Sequence, residues 1–233
     1  MGKRILKIEG DKTMKLDSVI FDLDGVLVFS DKYHYLAWKK IADEIGVYFD
    51  EEINNRLRGV SRMASLEIIL ERCEGAPISE EQKVELATKK NGYYRELLAN
   101  MAPSDVSDNV RYTLKKLRED GYKIAIGSSS KNTKYILERV NLSDAFDAIS
   151  DGTNITNSKP DPEVFLKAAQ FLGSNPEACL VVEDSESGID AAVAGKMQSA
   201  AIGDATKCGK ATFCINRLSD LIGILGTDNY TNQ

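Results

Sequence analysis

Hydrophobic positions along the chain follow two different rhythms. Val19-Ile20-Phe21 is an unbroken apolar run ahead of a Gly-containing turn, the mark of a strand buried on both faces of a parallel sheet. Ile124-Ala125-Ile126 and Leu180-Val181-Val182 are further strand-like runs, and strands are also predicted at residues 199–202 and 212–215. After the first strand the spacing changes. Trp38, Ile41, Ala42 and Ile45 recur at helical intervals, as do Leu66, Ile69 and Leu70, and a third helical stretch runs from Ser79 through Leu86 to Leu98. Alternation of strands and helices resumes only after Met101-Ala102-Pro103-Ser104-Asp105, with helices carrying Val110, Leu114 and Leu117, then Phe165, Ala168, Ala169 and Leu172, and lastly residues 218–225. The pattern predicts an α/β fold: a Rossmann-like parallel-sheet core, residues 1–29 and 103–233, with an all-helical domain, residues 30–102, inserted after the first strand. The two seams are expected near residues 28–30 and 101–105, where Pro103 and polar residues interrupt the periodicity. Residues 1–13, ahead of Met14-Lys15-Leu16, are expected to precede the fold as an extension or behind an upstream start.

Composition narrows the class. The 233 residues suffice for one large or two modest domains with a sizeable core. Hydrophobic residues make up 42% and charged ones 28%, as in ordinary soluble proteins, and no apolar stretch approaches the roughly 20 residues of a membrane span. The basic start Met1-Gly2-Lys3-Arg4 is followed by no apolar region adequate for a secretory signal. Cys73, Cys179, Cys208 and Cys214 show neither CxxC nor His-paired zinc spacing, and read as reduced thiols of a cytoplasmic protein. A net charge of −6 argues against a broad nucleic-acid surface, yet it permits a small anionic substrate, because local cations set the field at a site.

The candidate chemistry lies where predicted strands end. Asp22 and Asp24 follow the first strand, flanking Leu23 and followed by Gly25. In open α/β sheets the ligand crevice lies outside the C-terminal strand ends, and two carboxylates there are costly unless a cation sits between them or one stays protonated. The second strand runs into Gly127-Ser128-Ser129-Ser130-Lys131-Asn132, whose hydroxyls and amides ahead of a helical pattern suit an anion. Ser158-Lys159-Pro160-Asp161-Pro162 places a lysine before the next helix. Leu180-Val181-Val182 ends in Glu183-Asp184-Ser185, a second acidic pair, with Gly188 opening another helical stretch. In the insert, Ser61 and Arg62 precede a helical run. They fit either a second anion site, away from the aspartates, or simply a capping serine beside a solvated arginine.

The order Asp-x-Asp-Gly, Ser at a strand end, Lys-Pro, then Glu-Asp resembles the haloacid dehalogenase superfamily, over residues 19–188. Within it, Leu57-Arg58-Gly59-Val60-Ser61-Arg62 with Ser65-Leu66, together with His34, Trp38 and Ser130-Lys131-Asn132, is similar to the β-phosphoglucomutases. The resemblance implies that Asp22 is the nucleophile and forms an aspartyl-phosphate, and that Asp24 acts as general acid and then base. It implies Mg²⁺ held by Asp22, the Asp24 carbonyl and Asp184, with Glu183 a ligand or a neighbour of one. Ser128, Lys159 and the backbone around Ser129 would grip the transferring phosphoryl group. Ser130, Lys131 and Asn132 would form a substrate loop, and Arg58, Gly59, Val60, Ser61, Arg62 and Ser65 the insert's share of the substrate site. His34, the only histidine, would link insert closure to Asp24, although a lone helical histidine is more often simply a satisfied residue. Trp38 would also face substrate. Lys90-Asn91 match positions that touch sugar or phosphate in the family, while locally Lys89-Lys90 reads as a solvated helix face.

The implied reaction is interconversion of β-D-glucose 1-phosphate and D-glucose 6-phosphate through β-glucose 1,6-bisphosphate, by a cytoplasmic monomer without nucleic-acid or membrane partners. A sugar-phosphate phosphatase and a non-catalytic phosphosugar-binding protein are the alternatives. Intact Asp22, Asp24, Lys159 and Asp184 weigh against the second. Two departures stand out: Phe29 where the family has a polar residue before Ser30, and Arg58 where lysine is common.

Overall fold

A computed structural model describes residues 15–57, 60–73 and 77–226; the expected extension, residues 1–13, lies outside them. Among the described residues six strands, β1 (Ser18–Phe21), β2 (Lys123–Gly127), β3 (Ala148–Ser150), β4 (Cys179–Glu183), β5 (Gln198–Ala201) and β6 (Phe213–Cys214), pair in the order β3-β2-β1-β4-β5-β6, all in parallel. The first strand in the chain is therefore central, and the strand order reverses beside it. That reversal is the crevice-forming point of a doubly wound sheet.

Between β1 and β2 the chain forms α1 (Asp31–Glu44), α2 (Glu51–Asn55), α3 (Arg62–Leu70) and α4 (Glu80–Leu98). Trp38, Ile41 and Ala42 of α1, Leu66 and Ile69 of α3 and Ala87 of α4 make a hydrophobic cluster of their own, with Val47, Phe49, Ile53 and Leu57 filling it from the connections and α2. The C-terminal part of α4 packs instead on the sheet side, through Tyr94 and Leu98. Local sequence starts α4 firmly: Ser79 Oγ accepts from Gln82 N at 3.3 Å while Gln82 Oε1 accepts from Ser79 N at 2.9 Å, a reciprocal cap.

The remaining helices are α5 (Asp108–Glu119), α6 (Thr133–Arg139), α7 (Glu163–Leu172), α8 (Glu186–Ala194) and α9 (Asp220–Gly226). Val19 and Phe21 join Ile124, Ile126, Leu180 and Val182 in one cluster with α5, α6 and α9, whereas Ile20, Ala125, Cys179 and Val181 join α7 and α8 in another. Period-two alternation across two covered faces explains why these strands read as unbroken apolar runs. Phe21 and Ile20 are fully buried, each worth about 1.5–3 kcal/mol over an exposed position. Two elements escape the sequence pattern. β3 is only three residues long, and α2 is a five-residue helix whose Asp50 cap accepts from Ile53 N at 2.9 Å. Among the described residues, no helix is long and apolar enough to cross a membrane.

Candidate active site

Strand register gathers the reactive groups. Phe21 pairs with Ile126 on one side and Val182 on the other. The residues that follow, Asp22, Gly127-Ser128 and Glu183-Asp184, therefore leave the sheet together at its C-terminal edge. Asp22 N donates to Val182 O at 3.0 Å and Ser128 N to Ser150 O at 3.1 Å. Gly25 turns the chain with φ +85°, and a Cβ there would lie 2.0 Å from Asp184 Oδ2, so only glycine lets that carboxylate approach the Asp22 loop. At Gly188 a Cβ would stand 1.9 Å from Glu183 Cδ, which seats the Glu183 carboxylate on the first turn of α8.

Lys159 arrives from the loop before α7. Glu163 braces that loop, its Oε2 accepting from Thr156 N at 3.0 Å and Asn157 N at 2.7 Å. Lys159 is 5% exposed; its Nζ donates to Asp22 Oδ1 at 2.5 Å and to Glu183 Oε1. The other Glu183 oxygen accepts from Ser185 N at 2.9 Å and Ser185 Oγ at 2.8 Å. Burial by itself would discharge Lys159, but Asp22 and Glu183 outweigh it and hold its pKa above the usual lysine range. Burial pushes the Asp22 carboxyl well above its ordinary value; Lys159 opposes this and the neighbouring Glu183 and Asp184 add to it.

Asp22, Glu183 and Asp184 each offer a carboxylate oxygen, and these lie within 4.8 Å of one another. Three hard oxygen donors facing one lysine leave an excess of negative charge, a donor set that fits Mg²⁺. The Asp24 carboxylate is engaged elsewhere: it accepts from Ser30 Oγ, which lies 2.9 Å from Tyr94 Oη. Burial raises the Asp24 pKa, and the Ser30 hydrogen bond and the charges of Lys159 and Lys90 oppose it only in part.

The insert supplies the opposite wall. Lys90 is 3% exposed, its Nζ 2.9 Å from His34 Nδ1 and over the rings of Trp38 and Tyr94, at 4.9 and 4.6 Å from their centroids. Burial, reinforced by Arg62, lowers its pKa to about 7 against a contrary pull from Asp24. Burial together with Lys90 and Arg62 holds His34 well below its ordinary value, with its Nδ1 in hydrogen-bond contact with the lysine. The solvated lysine pair suggested by local sequence thus splits: Lys89 pairs with Glu44 at 2.8 Å on the surface, while Lys90 turns inward. Ser61 caps α3, accepting from Ala64 N at 3.2 Å, and puts Arg62 in its first turn. Arg62 Nη2 and Asn132 Nδ2 each donate to Asn91 Oδ1 at 2.9 Å, joining insert to core. The serine loop is ordered by its own side chains, Ser128 Oγ accepting from Ser130 N at 3.2 Å and Ser130 Oγ from Asn132 N at 3.1 Å.

A cavity of about 800 Å³ lies between sheet edge and insert. Its lining includes Asp22, Asp24, Glu183 and Asp184 with Ser128, Ser129, Ser130, Lys131, Asn132 and Lys159 from the core, and His34, Trp38, Val60, Ser61, Arg62, Ser65 and Lys90 from the insert. Arg58 and Gly59 lie outside the described residues. Sequence reasoning passed over Tyr94, one helical turn beyond Lys90, and saw Ser30 only as a seam rather than as the partner of Asp24. Phe29, 70% exposed, borders the cavity, and hydrogen bonding at the first seam falls to Ser30 instead.

Residues 16–195 match the haloacid dehalogenase-like hydrolases, and the chain belongs to that family. Its relatives include β-phosphoglucomutases. That of Bacillus subtilis (strain 168) is 39% identical over 208 residues, covering 88% of this chain and 92% of that one. The crystal structure of β-phosphoglucomutase from Clostridium difficile superposes with a TM-score of 0.84 at 36% identity, covering 92% of this chain and 97% of that one. A phosphorylated carbohydrates phosphatase of Thermotoga maritima is 31% identical over 179 residues, 76% of this chain and 80% of its own.

Proposed function

We propose that this protein is a Mg²⁺-dependent phosphomutase that interconverts β-D-glucose 1-phosphate and D-glucose 6-phosphate through β-glucose 1,6-bisphosphate. The observation that supports the reading is a cavity lined by a buried lysine on the core side and by an arginine on the insert side, two places where a phosphate could be held. Asp22, Ser128 and Lys159 stand at one, Arg62 and Asn132 at the other. A phosphatase needs only the first. A mutase must hold one phosphate while the other reacts.

In this reading an Asp22 oxygen attacks phosphorus in line, and the bond from phosphorus to the sugar oxygen breaks. Asp24, its carboxyl kept from ready ionisation by burial, gives its proton to that oxygen. The aspartyl-phosphate then passes its phosphoryl group to the 6-hydroxyl of a bound β-glucose 1-phosphate, whose proton returns to Asp24, and the β-glucose 1,6-bisphosphate so formed turns around to present its 1-phosphate to Asp22 for the first step again. Ser128 and Lys159 bind the phosphoryl oxygens, and Lys159 also orients Asp22. Asp22 and Asp184 with the Asp24 carbonyl would hold Mg²⁺, which would supply positive charge against those oxygens. Glu183, both of whose oxygens are engaged by Lys159 and Ser185, anchors the lysine. Residues 30–102 act as a cap that closes over bound sugar and excludes water from the phosphoenzyme. Ser61 and Ser65 line the cap side of the sugar site, and Lys90 and His34 face the sugar over Trp38.

The test is a coupled assay of β-glucose 1-phosphate conversion, with free phosphate followed in parallel. Glucose 6-phosphate should far exceed released phosphate, and Arg62→Ala should reduce sugar-phosphate turnover about 10- to 150-fold, the worth of a charge-assisted contact. Phosphorylation by acetyl phosphate, too small to reach Arg62, should suffer much less. Dominant phosphate release by wild type would assign the chain to the phosphatases instead.

A further inference from the structure

Asn91 lies on α4, half-buried, and its side-chain oxygen is the meeting point of two donors from separate parts of the fold. Arg62 reaches it from the first turn of α3 and Asn132 from the serine loop ahead of α6, each at 2.9 Å. The assignment of atoms is unambiguous, because a guanidinium only donates. Asn91 must therefore present its oxygen to Arg62, and Asn132, sharing that oxygen, must present its NH₂. With both lone pairs occupied, this one atom fixes a cationic arm of the insert and a neutral arm of the core within reach of a single small acceptor.

We propose that Asn91 is the positioning residue of the far anion end: its amide oxygen occupies, in the empty site, the place that an oxygen of the non-reacting phosphate takes in the filled one. The inference rests on the reading above, in which Arg62 holds that phosphate. An amide oxygen and a phosphate oxygen ask for the same donors, but the phosphate carries charge and makes the stronger bonds. It can displace the amide, whereas the donors need not be collected from scattered solvent-facing positions when it arrives. Gathering them in advance lowers the ordering cost of binding. The amide is also neutral. A carboxylate at this position would retain Arg62 and repel the incoming dianion.

Two substitutions separate this role from simple packing. Asn91→Ala removes the gathering oxygen and should raise KM for β-glucose 1-phosphate about fivefold. Asn91→Asp keeps shape and acceptor but adds charge, and should raise KM about fiftyfold through like-charge repulsion. In both, kcat at saturating sugar phosphate should stay within about threefold of wild type, since the reacting end is untouched. Equal KM values for the two variants, tighter binding by Asn91→Ala, or a fall in kcat with KM unchanged would each overturn the proposal. Should the aspartate variant not fold, Asn91→Ala alone decides, because an unchanged KM there is enough to reject it. Arg62→Ala, run alongside, keeps the two ideas apart. If it leaves both turnover and KM for the sugar phosphate unchanged, the far phosphate site itself is wrong; if it impairs either and the Asn91 variants leave KM unchanged, only the role of Asn91 falls.

Discussion

Replacing Lys159 by methionine keeps most of the side chain's volume and removes its charge. Asp22 and Glu183, whose side chains are 10% and 1% exposed, then lose their shared cation. Stripping one partner from a buried ion pair costs about 3–5 kcal/mol, because the charge left behind is neither solvated nor paired. In a chain of 233 residues each kcal/mol corresponds to roughly 2–4 °C, so Lys159→Met should melt about 6–20 °C below wild type at pH 7.5 without divalent metal. The deficit should depend on pH with a definite sign. The Asp22 pKa already lies above its ordinary value, and Lys159 is the main influence opposing that rise. Without the lysine it climbs further. A carboxyl whose folded pKa exceeds its unfolded one weakens the fold as pH rises through the folded value, and the penalty disappears as acid protonates it. The gap between variant and wild type should therefore narrow as pH is lowered from 7.5. Mg²⁺ gives the same carboxylates another counter-charge; at a hundred times its Kd a bound ligand adds about 2.7 kcal/mol, and the gain should be larger in the variant. Thermal melts at three pH values, in chelator and in Mg²⁺, read all of this. A deficit indifferent to both pH and Mg²⁺ would refute the electrostatic account of Lys159.

Asp22→Asn should yield no hydroxylamine-sensitive phosphoenzyme with acetyl phosphate, while Asp24→Asn should still bind Mg²⁺ yet lose turnover; a tenth of wild-type activity in Asp22→Asn would remove the covalent step. Gly25→Ala combines a strained φ of +85° with a Cβ 2.0 Å from Asp184 Oδ2, and calorimetric titration should show Mg²⁺ affinity falling about 10- to 100-fold; unchanged affinity would take Asp184 out of the metal site. Lys90, with its pKa near about 7 in the free protein, should gain a proton when a sugar phosphate binds beside it. At pH 7.5 wild type should take up about 0.7 proton more than Lys90→Met, measured by calorimetry in two buffers of different ionisation enthalpy. Equal uptake by the two proteins would separate Lys90 from the ligand.

Much of the scaffold is legible because burial on two faces leaves a simple trace: Val19-Ile20-Phe21 and Leu180-Val181-Val182 are apolar at every position, and one helical face recurs from Trp38 to Ile45. β3 leaves no such trace, being three residues long and only partly covered. The clustered carboxylates and Lys159 announce themselves by position at strand and helix ends. Their pairing does not, since which acid meets Lys159 depends on the register of β1 against β4, a property of no single segment. The insert is harder still. Lys89 and Lys90 are chemically identical neighbours, and only the packing of α4 against α1 sends one to the surface and the other under Trp38. Ser30 and Tyr94 belong to segments 64 positions apart and meet only where α4 crosses back over the sheet edge.

The central place of β1 also sets an order in time. Asp22 is synthesised before the other parts of the site, yet its strand needs residues 123–126 on one side and 179–182 on the other. A nascent or truncated chain that stops short of Glu183 has Asp22 with one flank open, no second carboxylate for Lys159 and no Asp184. Such long-range pairing comes late in folding because the intervening chain must first be closed into a loop. The carboxylate cluster and its lysine are thus complete only when the last of four distant segments docks.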